Sequence, residues 1–252
     1  MDDSQLLRYS RHLLLDELGP DAQARFAGAH ALIIGVGGLG NPAAQFLASA
    51  GVGTITLVDA DDVDLTNLQR QILFAMNDVG VAKVGAAARR LHAINPEVRI
   101  VERHERVDVA ALTELARPAD VVLDCTDNFA TRHAINRACV ATRRPLVLGA
   151  AIRFDGQVAV FDVRNENAPC YHCLFGEGED LEETRCATMG VFAPLVGIVG
   201  ATQAAEALKL LAGIGTSLAG RLLTIDTLAM QWREMRVPRD PECPVCATRD
   251  RG

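Results

Sequence analysis

Ala31-Leu-Ile-Ile-Gly35-Val-Gly37-Gly38-Leu-Gly40 is the stretch that decides the fold. Four apolar residues read as a short buried strand and run directly into Gly35-x-Gly37-x-x-Gly40. Asn41 to Ala50, rich in small residues, continues as a helix, and Thr54-Ile-Thr-Leu-Val-Asp59 reads as a second strand. Strand, glycine turn, helix and strand make a βαβ unit. In that context the glycines allow a tight turn and a close backbone approach to phosphate, while the helix N-terminus offers amide donors and a partial positive charge. Asp59 ends the second strand near the offset of about 20 residues expected of an acid that holds ribose hydroxyls.

The same alternation continues outward. Helices are expected at 83–94, 108–116 and 130–141, and strands at 98–101, 121–123 and 146–148. Upstream, Ser4 to Phe26 has helical periodicity that Gly19-Pro20 breaks in two. Downstream of Ala150 the pattern changes to a hairpin over 152–161 turning at Asp155-Gly156, then a helix over 194–211 and strands at 222–225 and 231–235. The expected architecture is α/β: a Rossmann-like, doubly wound, mostly parallel sheet extended by antiparallel strands. One domain over 1–252 is expected, with N-terminal helices to 28, a nucleotide-binding part over 29–150 and a final part over 151–252.

Composition narrows the function. A net charge of −7 argues against non-specific nucleic-acid binding, which needs a basic footprint. The N-terminus is acidic and polar, with no leader pattern. The most apolar stretch, Met189 to Thr202, is short of the roughly 20 residues that span a bilayer, so a buried helix and a cytoplasmic protein are expected. With aromatics at 4%, the core must be aliphatic.

A glycine loop with Asp59 alone would point to NAD and a dehydrogenase. A triphosphate undergoing cleavage needs more: cations for its oxygens and a carboxylate for Mg²⁺. Thr66-Asn67-Leu-Gln69-Arg70-Gln71, Lys83, and Asp124 with Asp127-Asn128 supply these beyond the carboxyl ends of strands, where open α/β sheets bind ligands.

Gly35-Val-Gly-Gly-Leu-Gly40, Ala48-Ser-Ala-Gly-Val-Gly53, Asn67-Leu-Gln-Arg-Gln71 and Leu123-Asp-Cys-Thr-Asp-Asn128 together resemble the MoeB/ThiF/HesA family, which is related to the catalytic core of ubiquitin-activating enzymes. The resemblance extends from Arg8-Tyr-Ser-Arg11 to Cys243-Pro-Val-Cys246. It implies adenylylation by ATP of the C-terminal glycine carboxylate of a ubiquitin-like sulfur-carrier protein. Gly38 would line the phosphates, Asp59 hold the ribose, Asn67, Arg70 and Lys83 contact the triphosphate, and Asp127 bind Mg²⁺. Arg11 would reach a neighbouring subunit's site, which implies a homodimer. Gly149-Ala-Ala-Ile-Arg153 is more similar to the molybdopterin-pathway members, while Tyr9-Ser10 and Gln71-Ile-Leu-Phe74 are more similar to the thiamine-pathway ones. The molybdopterin carrier is the leading expectation. Sulfur is expected from a separate donor, a cysteine desulfurase or a rhodanese. The competing readings are an NAD-dependent oxidoreductase and a non-catalytic scaffold that binds the carrier.

Seven cysteines are an odd number in a chain too large to need disulfide staples. Cys170-x-x-Cys173 and Cys243-x-x-Cys246 suit either a four-thiolate zinc site that clips the C-terminus to the body or redox dithiols, and the resemblance favours structural zinc. His172 is not expected to be a ligand, since four thiolates complete the shell. Cys186, beside Arg185, is either a thiol that links to the activated carrier or an idle one. Cys125 and Cys139 read as small packing residues.

Overall fold

The structure is a computed structural model describing residues 1–177 and 189–247. Eight strands form one sheet in the order β3-β2-β1-β4-β5-β6-β7-β8. The first five are β1 (His30–Ile34), β2 (Thr54–Val58), β3 (Arg99–Arg103), β4 (Val121–Asp124) and β5 (Leu146–Ile152). They pair in parallel. β6 (Asp155–Phe161), β7 (Arg221–Asp226) and β8 (Gln231–Arg236) continue the sheet antiparallel. The expected doubly wound sheet with its antiparallel extension is therefore present.

β1, β4 and the first half of β5 are covered on both faces, which is why Ala31–Ile34, Val121–Leu123 and Leu146–Leu148 read as unbroken apolar runs, whereas β3, at the edge, is largely exposed. Ala31, Ile33, Leu57 and Leu123 face one core with helices α4 (Gly40–Ser49), α5 (Lys83–Ile94) and α9 (Ala193–Ala212). Leu32, Ile34, Val58 and Val122 face the other, with α6 (Val109–Ala116), α7 (Phe129–Thr142) and Tyr171 of the short α8 (Tyr171–Leu174). Tyr171, Phe26 and Phe161 are among the largest fully buried side chains.

Several boundaries differ from expectation. The N-terminal region folds as three helices, α1 (Asp3–Arg8), α2 (Ser10–Leu13) and α3 (Gly19–Gly28). Gly19-Pro20 begins α3 instead of ending its predecessor, because proline's fixed φ and missing N–H suit the first turn of a helix. The hairpin exists, but it turns at Arg153-Phe154, with Arg153 at φ +52°. Gly156 lies inside β6. A Cβ there would come within 2.8 Å of Leu195 and Val199, so this glycine admits α9 against the sheet. By length and apolarity α9 could cross a membrane. Its packing on β5, β6 and α4 makes it a core helix instead.

Candidate functional site

A cleft of about 1770 Å³ opens over the carboxyl ends of the parallel strands. It lies where β1 sits between β2 and β4, the topological switch point at which such sheets bind ligands. Gly35, Gly37, Gly38, Asp59, Asn67, Gln69, Arg70, Lys83, Asp127 and Asn128 all line it. Gly40 sits behind it in the first turn of α4.

The glycine loop is shaped by contacts as well as by its ligand side. Gly35 adopts φ +90°, and a Cβ there would lie 2.7 Å from the Cys125 carbonyl oxygen. A Cβ at Gly40 would overlap the Gly35 carbonyl. Asp59 fixes the loop from β2: one carboxylate oxygen accepts from the Val36 N–H at 2.7 Å and the other from the Asp61 N–H at 2.9 Å.

The cationic side comes from the crossover between β2 and α5. Lys83, 6% exposed, extends its ammonium to 2.9 Å from the Asp61 carboxylate. Arg70 donates to the Thr66 carbonyl at 3.2 Å. Asn67 accepts from the Asp64 N–H and closes a capping box with Asp64, so its role in the isolated chain is to shape this turn.

The acidic side is the loop after β4. Asp124 is fully buried, and burial raises its pKa. One of its oxygens accepts from the Thr126 N–H and hydroxyl, at 2.9 and 2.7 Å. Arg132 donates to the Thr126 carbonyl at 2.9 Å. Thr126 is therefore held from both ends, and Asp127 follows, exposed on the cleft. An exposed carboxylate on such a cleft fits Mg²⁺, which is bound through one or two carboxylates together with substrate phosphates and water. Asn128 lines the cleft, but its side-chain oxygen caps α7 through the Thr131 N–H at 2.8 Å. Its placement on the cleft is thus joined to a structural task.

Sequence reasoning missed two residues here, Gln203 and Arg132. Gln203, fully buried in α9, donates to the Asp124 and Val147 carbonyls at 2.8 and 3.2 Å. It pins the ends of β4 and β5 where the Asp127 loop departs. A mid-helix glutamine followed by Glu206 carries no local signal for this. Gln71, 4% exposed, and Arg132 also line the cleft. Cys125 does more than fill space, since it too lines the cleft, and its thiol, pushed up by burial, donates to Gln203.

Arg11 is exposed on α2 and is not among the described residues that line the cleft. Cys186 lies outside the described residues. From the phosphate end the cleft continues past Ile152, Asp155 and Thr224 to Arg233 on β8.

Far along the sequence but together in space, Cys170, Cys173, Cys243 and Cys246 have all their sulfurs within 4.8 Å of one another. The separations Cys170–Cys173, Cys170–Cys243 and Cys173–Cys246 are 3.9, 3.7 and 3.6 Å. Four sulfurs about 2.3 Å from a central Zn²⁺ in a tetrahedron lie about 3.8 Å apart, so the set fits zinc. His172 is outside this group. Hydrogen bonding from Cys170 holds the Cys173 thiol below its ordinary pKa.

The ThiF family model matches residues 9–245. The chain belongs to the ThiF family. It is 46% identical over 246 residues to the sulfur carrier protein ThiS adenylyltransferase of Escherichia coli, covering 98% of this chain and 97% of that protein. It is 45% identical over 249 residues to the molybdopterin-synthase adenylyltransferase of the same organism, covering 98% of each. Among solved structures, this ThiF-family chain is similar to E. coli MccB with ATP, at a TM-score of 0.84 and 27% identity over 95% of this chain and 73% of that one.

Proposed function

We infer that this ThiF-family chain is an adenylyltransferase that uses ATP to activate the C-terminal glycine carboxylate of a ubiquitin-like sulfur carrier, with the molybdopterin carrier as the leading substrate. The observation that carries this reading is one cleft in which a glycine loop with Asp59, the cations Arg70 and Lys83, and the exposed carboxylate of Asp127 converge. The open run of the same cleft toward Arg233 gives room for an extended peptide tail.

The chemistry follows from charge. Asp59 holds the ribose, while the Gly37 and Gly38 backbone receives phosphate oxygens. A carboxylate oxygen of the carrier attacks the α-phosphorus; the bond from that phosphorus to the oxygen bridging to the β-phosphate breaks, and pyrophosphate leaves. The product is an acyl-adenylate. The carrier carboxylate is already ionised at neutral pH, so no general base is needed. Arg70 and Lys83 stabilise negative charge on the departing pyrophosphate. Asp127 would hold Mg²⁺, which supplies Lewis-acid charge neutralisation when bound.

Arg11, outside its own cleft, is assigned to the cleft of a second copy in a homodimer. The four cysteines would hold structural zinc, and a separate desulfurase or rhodanese would deliver sulfur.

The test is carrier-dependent exchange of labelled pyrophosphate into ATP. The small molybdopterin-synthase subunit and the thiamine sulfur carrier are offered separately. Exchange with the first, lost in Asp127→Ala, is expected. Exchange only with the second would move the chain to the thiamine pathway, and exchange with neither would sink the reading.

A further inference from the structure

The glycine loop and the segment carrying Asn67 and Arg70 are separate stretches of chain, and one buried side chain ties them together. Asn41, in the first turn of α4, is fully buried. Its amide nitrogen donates to the Val36 carbonyl at 2.8 Å, and its amide oxygen accepts from the Leu73 N–H at 2.9 Å. The Val36 N–H is itself held by Asp59 at 2.7 Å. Asp59, the glycine loop, α4 and the Arg70 segment are thus linked in series through two side chains.

Peptide planarity gives this link a consequence at the cleft. The Val36 carbonyl and the Gly37 N–H share one rigid trans plane and point in opposite directions. Holding the carbonyl on Asn41 therefore aims the Gly37 N–H away from α4, and Gly37 lines the cleft. On the other arm, Leu73 lies just beyond Arg70 and Gln71. The Phe74 N–H on the Gln71 carbonyl at 3.1 Å closes the turn that holds Leu73, and the Gln71 N–H on the Asn67 carbonyl at 2.9 Å closes the preceding one, which carries Arg70. Fixing the Leu73 N–H anchors the end of these two consecutive turns. Packing alone would be met by a small apolar residue at position 41. An amide with both ends engaged is needed only if the two backbone groups must be satisfied at a set separation.

We propose that Asn41 is a positioning residue for the adenylylation reaction, holding the Gly37 amide and Arg70 in register on either side of the triphosphate. This rests on the assignment of Arg70 to the phosphates made above. Asn41 touches neither nucleotide nor carrier in this reading. Its loss should be felt by the phosphate chain and not by the nucleoside end, which Asp59 holds.

The experiment compares ATP and AMP binding and carrier-dependent pyrophosphate exchange in wild type, Asn41→Leu, Asn41→Asp, Arg70→Ala and the Asn41→Leu/Arg70→Ala double variant. Asn41→Leu removes both bonds. Asn41→Asp keeps the acceptor for Leu73 but sets an oxygen against the Val36 carbonyl, and it serves if the leucine variant does not fold. Either should weaken ATP about tenfold while AMP stays within about twofold. In the Arg70→Ala background, Asn41→Leu should cost less than about threefold further, because residues acting as a unit are not additive. Equal weakening of ATP and AMP, or losses that multiply in the double variant, would overturn the proposal. An Arg70→Ala protein with undiminished exchange would instead remove the site assignment beneath it, and the proposal with it.

Discussion

The Lys83 ammonium sits 2.9 Å from the Asp61 carboxylate, and the Asp61 N–H donates to Asp59, so Lys83 and Asp59 are tied to one short turn. Lys83 is thereby aimed by the fold itself. In the proposed reading Asp61 also adds negative charge beside the triphosphate. Asp61→Asn should accordingly bind ATP more tightly, by about threefold, while turnover falls because Lys83 loses its guide. Lys83→Met should lower exchange by at least about a hundredfold, as loss of one charge-stabilising donor does elsewhere. Titration of ATP binding alongside exchange rates checks both. An Asp61→Asn protein with weaker ATP binding would refute the electrostatic half.

Gly149 and Gln203 make the second prediction. A Cβ at Gly149 would fall on the Gln203 carboxamide, which must sit there to reach the Asp124 and Val147 carbonyls. Gly149→Ala forces that amide away and leaves buried carbonyls unpaired. Overpacking and lost hydrogen bonds each cost about 1–3 kcal/mol. A drop of several degrees in Tm with a disproportionate loss of exchange, through the displaced Asp127 loop, is expected by calorimetry and assay. Gly149→Ala with unchanged Tm would show that Gln203 is free to move.

How far the sequence revealed this arrangement depends on whether a residue's signal is local. Ala31 to Ser49 carries its strand, turn and helix in one unbroken stretch, and the βαβ unit stands as read. The two C-x-x-C pairs announced themselves, though only the fold shows that they meet. Asp155-Gly156 misled because glycine serves close packing as readily as turning, and here Leu195 and Val199 claim it. Gln203 and Asn41 were invisible for a different reason. Each bonds to a carbonyl or amide of a stretch remote in sequence, Leu73 for Asn41 and Asp124 for Gln203, and a buried amide has no pattern of its own. Arg11 is legible only through resemblance, since in the single chain it is a surface charge.

A third prediction concerns pH. At the amino edge of the sheet, the His30 ring lies between the Pro118 carbonyl (3.2 Å) and the Thr56 hydroxyl (2.8 Å). Burial lowers its pKa. The folded ring resists protonation that the unfolded chain accepts, so His30's share of stability is present above the unfolded value of about 6.5 and is lost as pH falls below it. Urea midpoints of wild type and His30→Gln should therefore differ more at pH 7.5 than at pH 5.5. A difference that grows on acidification would reverse the sign and refute the argument.

The cysteine cluster gives the last prediction. Cys243 and Cys246 lie near the end of the described chain, while Cys170 caps α8 and Cys173 lies within it, and the Tyr171 of that helix is buried in the core beneath β4 and β5. A metal joining them would tie the C-terminal segment to that core and leave the nucleotide cleft untouched, since none of the four cysteines lines it. Purified protein should contain about one zinc per chain, and Cys243→Ser/Cys246→Ser should contain none. Structural zinc contributes binding free energy to folding, so the double variant or chelated protein should melt at least about 5 °C lower. Carrier-dependent exchange at low temperature should remain within about threefold of wild type. Loss of exchange at a temperature where the variant is still folded would give the cluster a part in the chemistry, and reversible oxidation without bound metal would make it a redox dithiol pair.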